Sequence, residues 1–373
     1  MDYLKAQVQN KLLERLDQGI IRDLSPIQGG IDFYSNDYLG HARSFDLNET
    51  VKANLEDHPL GATGSRLISG NSKLVMDLED ELAIRFNSPS ALLFNSGFDL
   101  NLGLLSTIPG EEDIILLDQN IHASLKLGAK LSKASRNYFR HNDLEHLKDR
   151  LKFYRNKLGN KKNIFVVVES VYSMDGDTAP LMGMVELAQK YDARLIVDEA
   201  HGAGIFGPNG RGFVSHLGLE NQVFARIVTF GKAFGAHGAV VLIDQLFKKF
   251  LVNFCQPLIY TTAMPAHSLI SIRESVRLCQ ESYINRQGLF LKIEKFKNAL
   301  NRPSQQSPIF SIPIPSIMLL KDITKNLREN SFMVSPIFSP TVKKGTERLR
   351  ICLHTFNDDK EIEQLAQEIR RFI

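Results

Sequence analysis

The chain has 373 residues, which suits two packed domains better than a single core. Its 43% hydrophobic and 23% charged content is that of an ordinary globular protein and excludes a disordered chain. A net charge of +3 leaves room for local phosphate pockets but excludes the concentrated basic face of a dedicated nucleic-acid binder.

The first predicted element is a packing helix, with Leu4, Val8, Leu12, Leu13 and Leu16 at helical spacing and Gly19 as its stop. Residues 31–35 read as a short strand ending in the turn pair Asn36-Asp37. From about residue 70 the pattern alternates: a helix over 74–86, a strand over 91–94, a strand over 113–117 and a helix over 123–131. It continues with a strand over 164–168, a helix over 182–191, strands over 193–197, 223–229 and 239–243, and a helix through Phe250. Short apolar strands alternating with helices predict an α/β fold: a large, mostly parallel sheet with helices on both faces. Beyond it come a helical stretch over 266–300, a Pro- and Ser-rich stretch over 303–315, strands near 316–320, 332–336 and 348–353, and a last helix over 358–371. That reads as a smaller α+β C-terminal domain. The expected organisation is an N-terminal helix and arm over 1–50, a large domain over 51–265 and a small domain over 266–373.

Cys255, Cys279 and Cys352 are too scattered for a disulfide framework or a paired-cysteine metal knuckle, so a reducing cytoplasm and no metal are expected. No leader pattern opens the sequence, and the apolar runs are too short to span a bilayer.

Four stretches carry candidate chemistry. Asp198-Glu199-Ala200-His201 directly follows a predicted strand, where open α/β sheets bind ligands. A carboxylate there can keep a ring nitrogen protonated, and a nearby imidazole can pack on a planar ring. A helicase box would need an upstream phosphate loop, and there is none. Gly202-Ala203-Gly204-Ile205-Phe206-Gly207 has the spacing of a nicotinamide dinucleotide fingerprint, but it does not open a helix right after a first strand. A glycine-rich loop under a ligand suits it better. Lys232, in Thr229-Phe230-Gly231-Lys232-Ala233-Phe234-Gly235, ends a β-branched strand with no acid nearby in sequence. A lone lysine is usually a solvated charge; burial would lower its pKa and free the amine for Schiff-base chemistry. Asn95-Ser96-Gly97-Phe98 precedes a helix, where backbone N–H groups bind phosphate, although a plain strand–helix turn reads the same way. His122 opens the next helix. Arg348 and Arg350 alternate along a strand, so they share a face and suit either a carboxylate clamp or a cross-strand ion pair.

In this order the motifs resemble the fold-type I pyridoxal-phosphate enzymes and, within them, the α-oxoamine synthases. The resemblance runs from Ser35-Asn36-Asp37-Tyr38-Leu39-Gly40 to the last helix. The stretch from Gly61 to Gly70, Ser173-Met174-Asp175-Gly176-Asp177, His201-Gly202-Ala203-Gly204 and Pro340-Thr341-Val342 look like the 8-amino-7-oxononanoate synthase branch. The resemblance implies a decarboxylating condensation of L-alanine with a pimeloyl thioester, on CoA or an acyl carrier protein. Sister branches use glycine or serine. It further implies that Lys232 holds pyridoxal 5'-phosphate covalently, Asp198 pairs with the pyridine nitrogen, His122 stacks on the ring and His201 meets its phenolic oxygen. Gly97, Phe98, Ser173 and Thr229 would seat the cofactor, and Thr262 would reach the partner subunit's cofactor in a homodimer with shared sites. Arg22, Asn36, Thr341 and Arg350 would contact substrate. Glu199, where many relatives have Asp, and His237 depart from the pattern; His237 bears on the acyl channel.

Overall fold

The computed structural model describes residues 2–24 and 29–372, apart from the side chain of Asn160. The N-terminal half runs α1 (Tyr3–Asp17), β1 (Ile31–Asp32), α2 (Phe45–Ala53), α3 (Lys73–Arg85), β2 (Ala91–Phe94), α4 (Gly97–Thr107), β3 (Ile114–Asp118), α5 (Ala123–Leu131), β4 (Ser135–Phe139), α6 (Leu144–Leu158) and β5 (Ile164–Glu169). It continues through α7 (Leu181–Lys190), β6 (Ala193–Asp198), α8 (Phe213–His216), β7 (Ala225–Thr229), β8 (Ala239–Ile243), α9 (Gln245–Phe254) and α10 (Gln256–Ile259). The remainder is α11 (Ala266–Glu281), α12 (Tyr283–Ala299), β9 (Ile309–Pro313), α13 (Ile317–Glu329), β10 (Phe332–Met333), β11 (Ser335–Ile337), β12 (Arg348–Cys352) and α14 (Asp359–Arg370).

Seven strands form one sheet in the order β2-β8-β7-β6-β5-β3-β4. β4, β3, β5, β6 and β7 are mutually parallel, and β8 runs antiparallel to both of its neighbours. β3, β5 and β8 are buried along their whole length, which explains their near-continuous Ile, Leu and Val content. A three-stranded antiparallel sheet, β11-β12-β9, carries the C-terminal part. The predicted α/β fold with a large, mostly parallel sheet is the fold of the chain. No described helix is long and apolar enough to cross a membrane.

Several local expectations are corrected. The predicted packing helix α1 has no buried residue; Leu4, Val8, Leu12, Leu13 and Leu16 stay at least half exposed, so its apolar face has no partner among the described residues. The strand expected over 31–35 ends at Asp32, whose carboxylate accepts the N–H groups of Tyr34 and Ser35 and turns the chain. That short strand pairs in parallel with β10, so the N-terminal arm joins the C-terminal elements. Residues 316–320 are no strand: Ser316 caps α13, and Leu320, Ile323, Thr324 and Leu327 bury one helical face. The Pro- and Ser-rich stretch contains β9. The helical stretch over 266–300 is two helices with Ser282 between them. The polar edge strand β4 and the amphipathic α6 escaped the sequence reading.

Candidate active site

The parallel strands deliver polar residues to one end of the sheet. Glu169 ends β5, Asp198 ends β6 and Thr229 ends β7, and Glu169 lies in register with Asp198. Beyond these strand ends lies a cavity of about 270 Å³. Asn36, Gly97, Phe98, His122, Ser173, Asp198, His201, Thr229 and Lys232, all singled out from sequence, line it. Ends of parallel strands are where open α/β sheets place ligands, because the loops there diverge and expose backbone groups.

Lys232 sits in the loop joining β7 to β8. Its carbonyl accepts the Gly235 N–H at 2.8 Å, and buried Phe230, Ala233 and Phe234 anchor the loop on both sides. Among the described residues its amine makes no hydrogen bond or ion pair. Burial lowers the lysine's pKa, opposed by Asp198 and Glu169. Asp198 is braced: Asn101 Nδ2 donates to Oδ2 at 3.0 Å and the Ala200 N–H donates to Oδ1 at 2.9 Å. The same Asn101 amide reaches Ser124 Oγ at 2.9 Å. His122 caps α5, and burial with the nearby Lys232 lowers its pKa against the pull of Asp198. His201 Nδ1 lies 2.7 Å from the Tyr38 hydroxyl, and burial holds the ring neutral.

A hydrogen-bonded chain continues from there. The Tyr38 hydroxyl donates to Asn36 Oδ1 at 3.0 Å, and Arg350 donates to the same oxygen at 2.9 Å. Arg350 Nε donates to the Ser173 carbonyl at 2.7 Å. Arg350 is buried and has no carboxylate partner among the described residues; its neighbour Arg348 pairs with Asp175. Of the two readings of this strand, the ion pair belongs to Arg348, and Arg350 is left without a carboxylate among the described residues.

Other residues stand apart. Arg22 and Thr341 meet each other, Nη2 to Oγ1 at 3.3 Å, on the surface and outside the cavity lining. Thr262 is also exposed and outside that lining; Asn95 Nδ2 donates to its carbonyl. His237 lines the cavity from an exposed position. Glu199 points away into the core, where it accepts the Val214 N–H at 2.8 Å and lies 4.0 Å from buried Arg226. The dinucleotide alternative lacks its helix: Gly204 and Gly207 have positive φ, and the next helix, α8, spans four residues.

Sequence reasoning missed Asn101, Ser124 and Glu169, all of which line the cavity. Glu169 is buried and accepts the N–H groups of His122 and Ser173, so it ties two walls together. Burial and Asp198 push its carboxyl up to about 8. The only signal in sequence was an acid ending the apolar run Ile164-Phe165-Val166-Val167-Val168-Glu169.

The residues fit pyridoxal phosphate on their own evidence. Among the described residues Thr229 Oγ1 is buried without a hydrogen-bond partner, as a phosphate ligand would be before its phosphate arrives. The N-terminus of the eleven-residue α4 opens beside it through Ser96, Gly97 and Phe98. A Cβ on Gly97 would come within 2.5 Å of Thr229 Cγ2, so only glycine allows that approach.

The family model for class I and II aminotransferases matches residues 28–369. The 8-amino-7-oxononanoate synthase of Emericella nidulans is 35% identical, covering 99% of this chain and 96% of its own length. That of Saccharophagus degradans is 36% identical, covering 91% and 86%. Among solved structures, a serine palmitoyltransferase from S. paucimobilis with bound PLP superposes with a TM-score of 0.91 at 26% identity, covering 100% of this chain and 98% of that one. An 8-amino-7-oxononanoate synthase from Francisella tularensis has a TM-score of 0.77 at 29% identity, covering 92% and 98%.

Proposed function

Because this chain belongs to the class I and II aminotransferase family and, within it, to the 8-amino-7-oxononanoate synthases, we infer that it is a pyridoxal-phosphate acyltransferase of biotin synthesis. It condenses L-alanine with a pimeloyl thioester, on CoA or an acyl carrier protein, with loss of CO2. One observation carries the reading: a half-buried lysine, unpaired among the described residues, and a braced aspartate share one cavity at the ends of parallel strands.

Bound there, pyridoxal phosphate supplies an electron sink that stabilises negative charge at the amino-acid Cα. Lys232 is the residue that holds it covalently. When not bonded to the cofactor, the same amine would take the alanine Cα proton and return one; burial suits it to this by disfavouring the ammonium form. Asp198 keeps the pyridine nitrogen protonated, and Asn101 keeps that carboxylate in place. His122 would pack on the ring, and His201 would meet its phenolic oxygen. The α4 N-terminus with Thr229 holds the phosphate. Arg350 takes the alanine carboxylate, with Asn36 beside it.

A homodimer with shared sites completes the reading. Thr262, exposed here, reaches the partner's cofactor, and Arg22 and Thr341 contact substrate. Exposed Leu246, Phe250, Phe254 and Tyr260 in and after α9, together with the bare face of α1, are the apolar surface a second subunit would cover.

The cofactor assignment is tested by borohydride reduction of the yellow holoprotein followed by peptide mapping. A pyridoxyl group on Lys232 is expected. A colourless protein that ignores added pyridoxal phosphate, or a label on another lysine, overturns it.

A further inference from the structure

Outside the cavity, His141 stands between two carboxylates. Its Nδ1 lies 2.9 Å from Asp118 Oδ1 and its Nε2 lies 2.8 Å from Asp177 Oδ2. Asp118 ends β3 and is fully buried, while Asp177 closes the turn that follows β5. A neutral imidazole donates from only one nitrogen, and its other lone pair would face a carboxylate at hydrogen-bond distance. The ring is therefore an imidazolium: against burial, which would lower it, the two carboxylates push its pKa up to about 10.

The turn that His141 holds is built into the site. It closes on itself, with the Tyr172 N–H donating to the Asp177 carbonyl at 3.0 Å and the Gly176 N–H to the Tyr172 carbonyl at 2.8 Å. On its far side Asp175 pairs with Arg348, and the Ser173 carbonyl accepts Arg350 Nε at 2.7 Å. Ser307 Oγ donates to the Gly176 carbonyl at 2.6 Å. Those contacts tie the turn to the C-terminal sheet, whereas His141, with Asn142 Nδ2 on the same Asp177 oxygen at 2.7 Å, ties it to the large sheet. The Tyr172 ring meets His141 edge-on at 4.4 Å.

We propose that His141 is a positioning residue for the amino-acid end of the site: by bridging Asp118 and Asp177 it fixes the 172–177 turn, whose Ser173 carbonyl sets the Arg350 guanidinium. It touches neither cofactor nor substrate. The proposal rests on Arg350 as the carboxylate site, and its test separates the two.

The holoenzyme is compared with His141→Gln, which loses the charge and one donor, and with Asp177→Asn, a milder change that keeps the His141–Asp118 pair. Loss of a charge-assisted hydrogen bond at this distance predicts a rise of about tenfold in KM for alanine with His141→Gln and a smaller rise with Asp177→Asn. The kcat and the affinity for pyridoxal phosphate should stay within about twofold, since loss of uniform substrate binding raises KM and leaves kcat unchanged. Amide exchange across residues 171–177 should quicken in both variants, with or without turnover. In an Arg350→Lys background His141→Gln should add little, because the two act on one interaction. Unchanged exchange and unchanged alanine KM in both variants overturn the proposal, as does an equal loss of cofactor and alanine binding. If Arg350→Lys leaves the alanine KM unaltered, the carboxylate site itself is misplaced and the functional half of the proposal falls with it. The exchange rates then decide the structural half independently.

Discussion

Asn101 holds Asp198. The amide of α4 reaches across to the end of β6 and donates to Asp198 Oδ2 at 3.0 Å, while its other contact, Ser124 Oγ, lies at the start of α5. The carboxylate proposed to face the cofactor ring is thus aimed by a residue invisible to motif reading. Replacing Asn101 with Leu keeps the volume but removes the donor. A hydrogen bond to a charged group contributes about 1.5–3 kcal/mol, so kcat should fall by about tenfold or more with the cofactor still bound. Asp198→Asn removes the charge itself and should cost about 10²–10³ in kcat, as loss of a preorganised electrostatic partner does. Steady-state kinetics of both variants check the order; a larger loss from Asn101→Leu than from Asp198→Asn would contradict it.

Gly97 and Thr229 share a steric limit. A Cβ at residue 97 would sit 2.5 Å from Thr229 Cγ2, forcing the threonine and its hydroxyl to move. Gly97→Ala should therefore weaken pyridoxal phosphate binding by about tenfold, equivalent to about 1.4 kcal/mol. Thr229→Ser removes the clashing methyl and keeps the hydroxyl, so the double variant should recover most of the affinity. Spectroscopic titration of apoprotein with the cofactor measures this, and an unrecovered double variant would place the fault elsewhere.

The lowered pKa of Lys232 has a kinetic consequence. An amine attacks an aldehyde only when unprotonated, and burial moves this lysine's deprotonation below the ordinary lysine range. The rate of apoprotein reconstitution should rise with pH and flatten below about pH 10, the midpoint of an ordinary exposed lysine. Stopped-flow absorbance across pH 6 to 11, on the order of ten points, resolves it; a rate still climbing through the top of that range would mean a solvated, ordinary amine.

The layered architecture was legible because buried parallel strands must be apolar on both faces, which is what 114–118, 164–168 and 239–243 look like in sequence. Residues 316–320 misled because Ile317-Met318-Leu319-Leu320 is a short apolar run, and only the later spacing through Ile323 and Leu327 reveals the helix. β4 hid because an edge strand reading Ser-Arg-Asn-Tyr-Phe buries one residue of five. Lys232, Asp198, His122 and His201 stood out as chemical residues just past predicted strands or opening helices. Asn101 and Glu169 did not, since a single polar residue in an apolar element gives no spacing to read. The bare face of α1 was equally hidden: periodicity marks an apolar stripe but not which chain covers it.

The central claim is the identity of the condensation, and an amino-acid panel tests it most directly. Holoenzyme is supplied with pimeloyl thioester and, separately, with L-alanine, glycine or L-serine, and both CO2 release and the mass of the aminoketone product are followed. L-alanine should give the highest kcat/KM, and its product should be 8-amino-7-oxononanoate. A higher kcat/KM for glycine or serine, or turnover of alanine without loss of CO2, would contradict it.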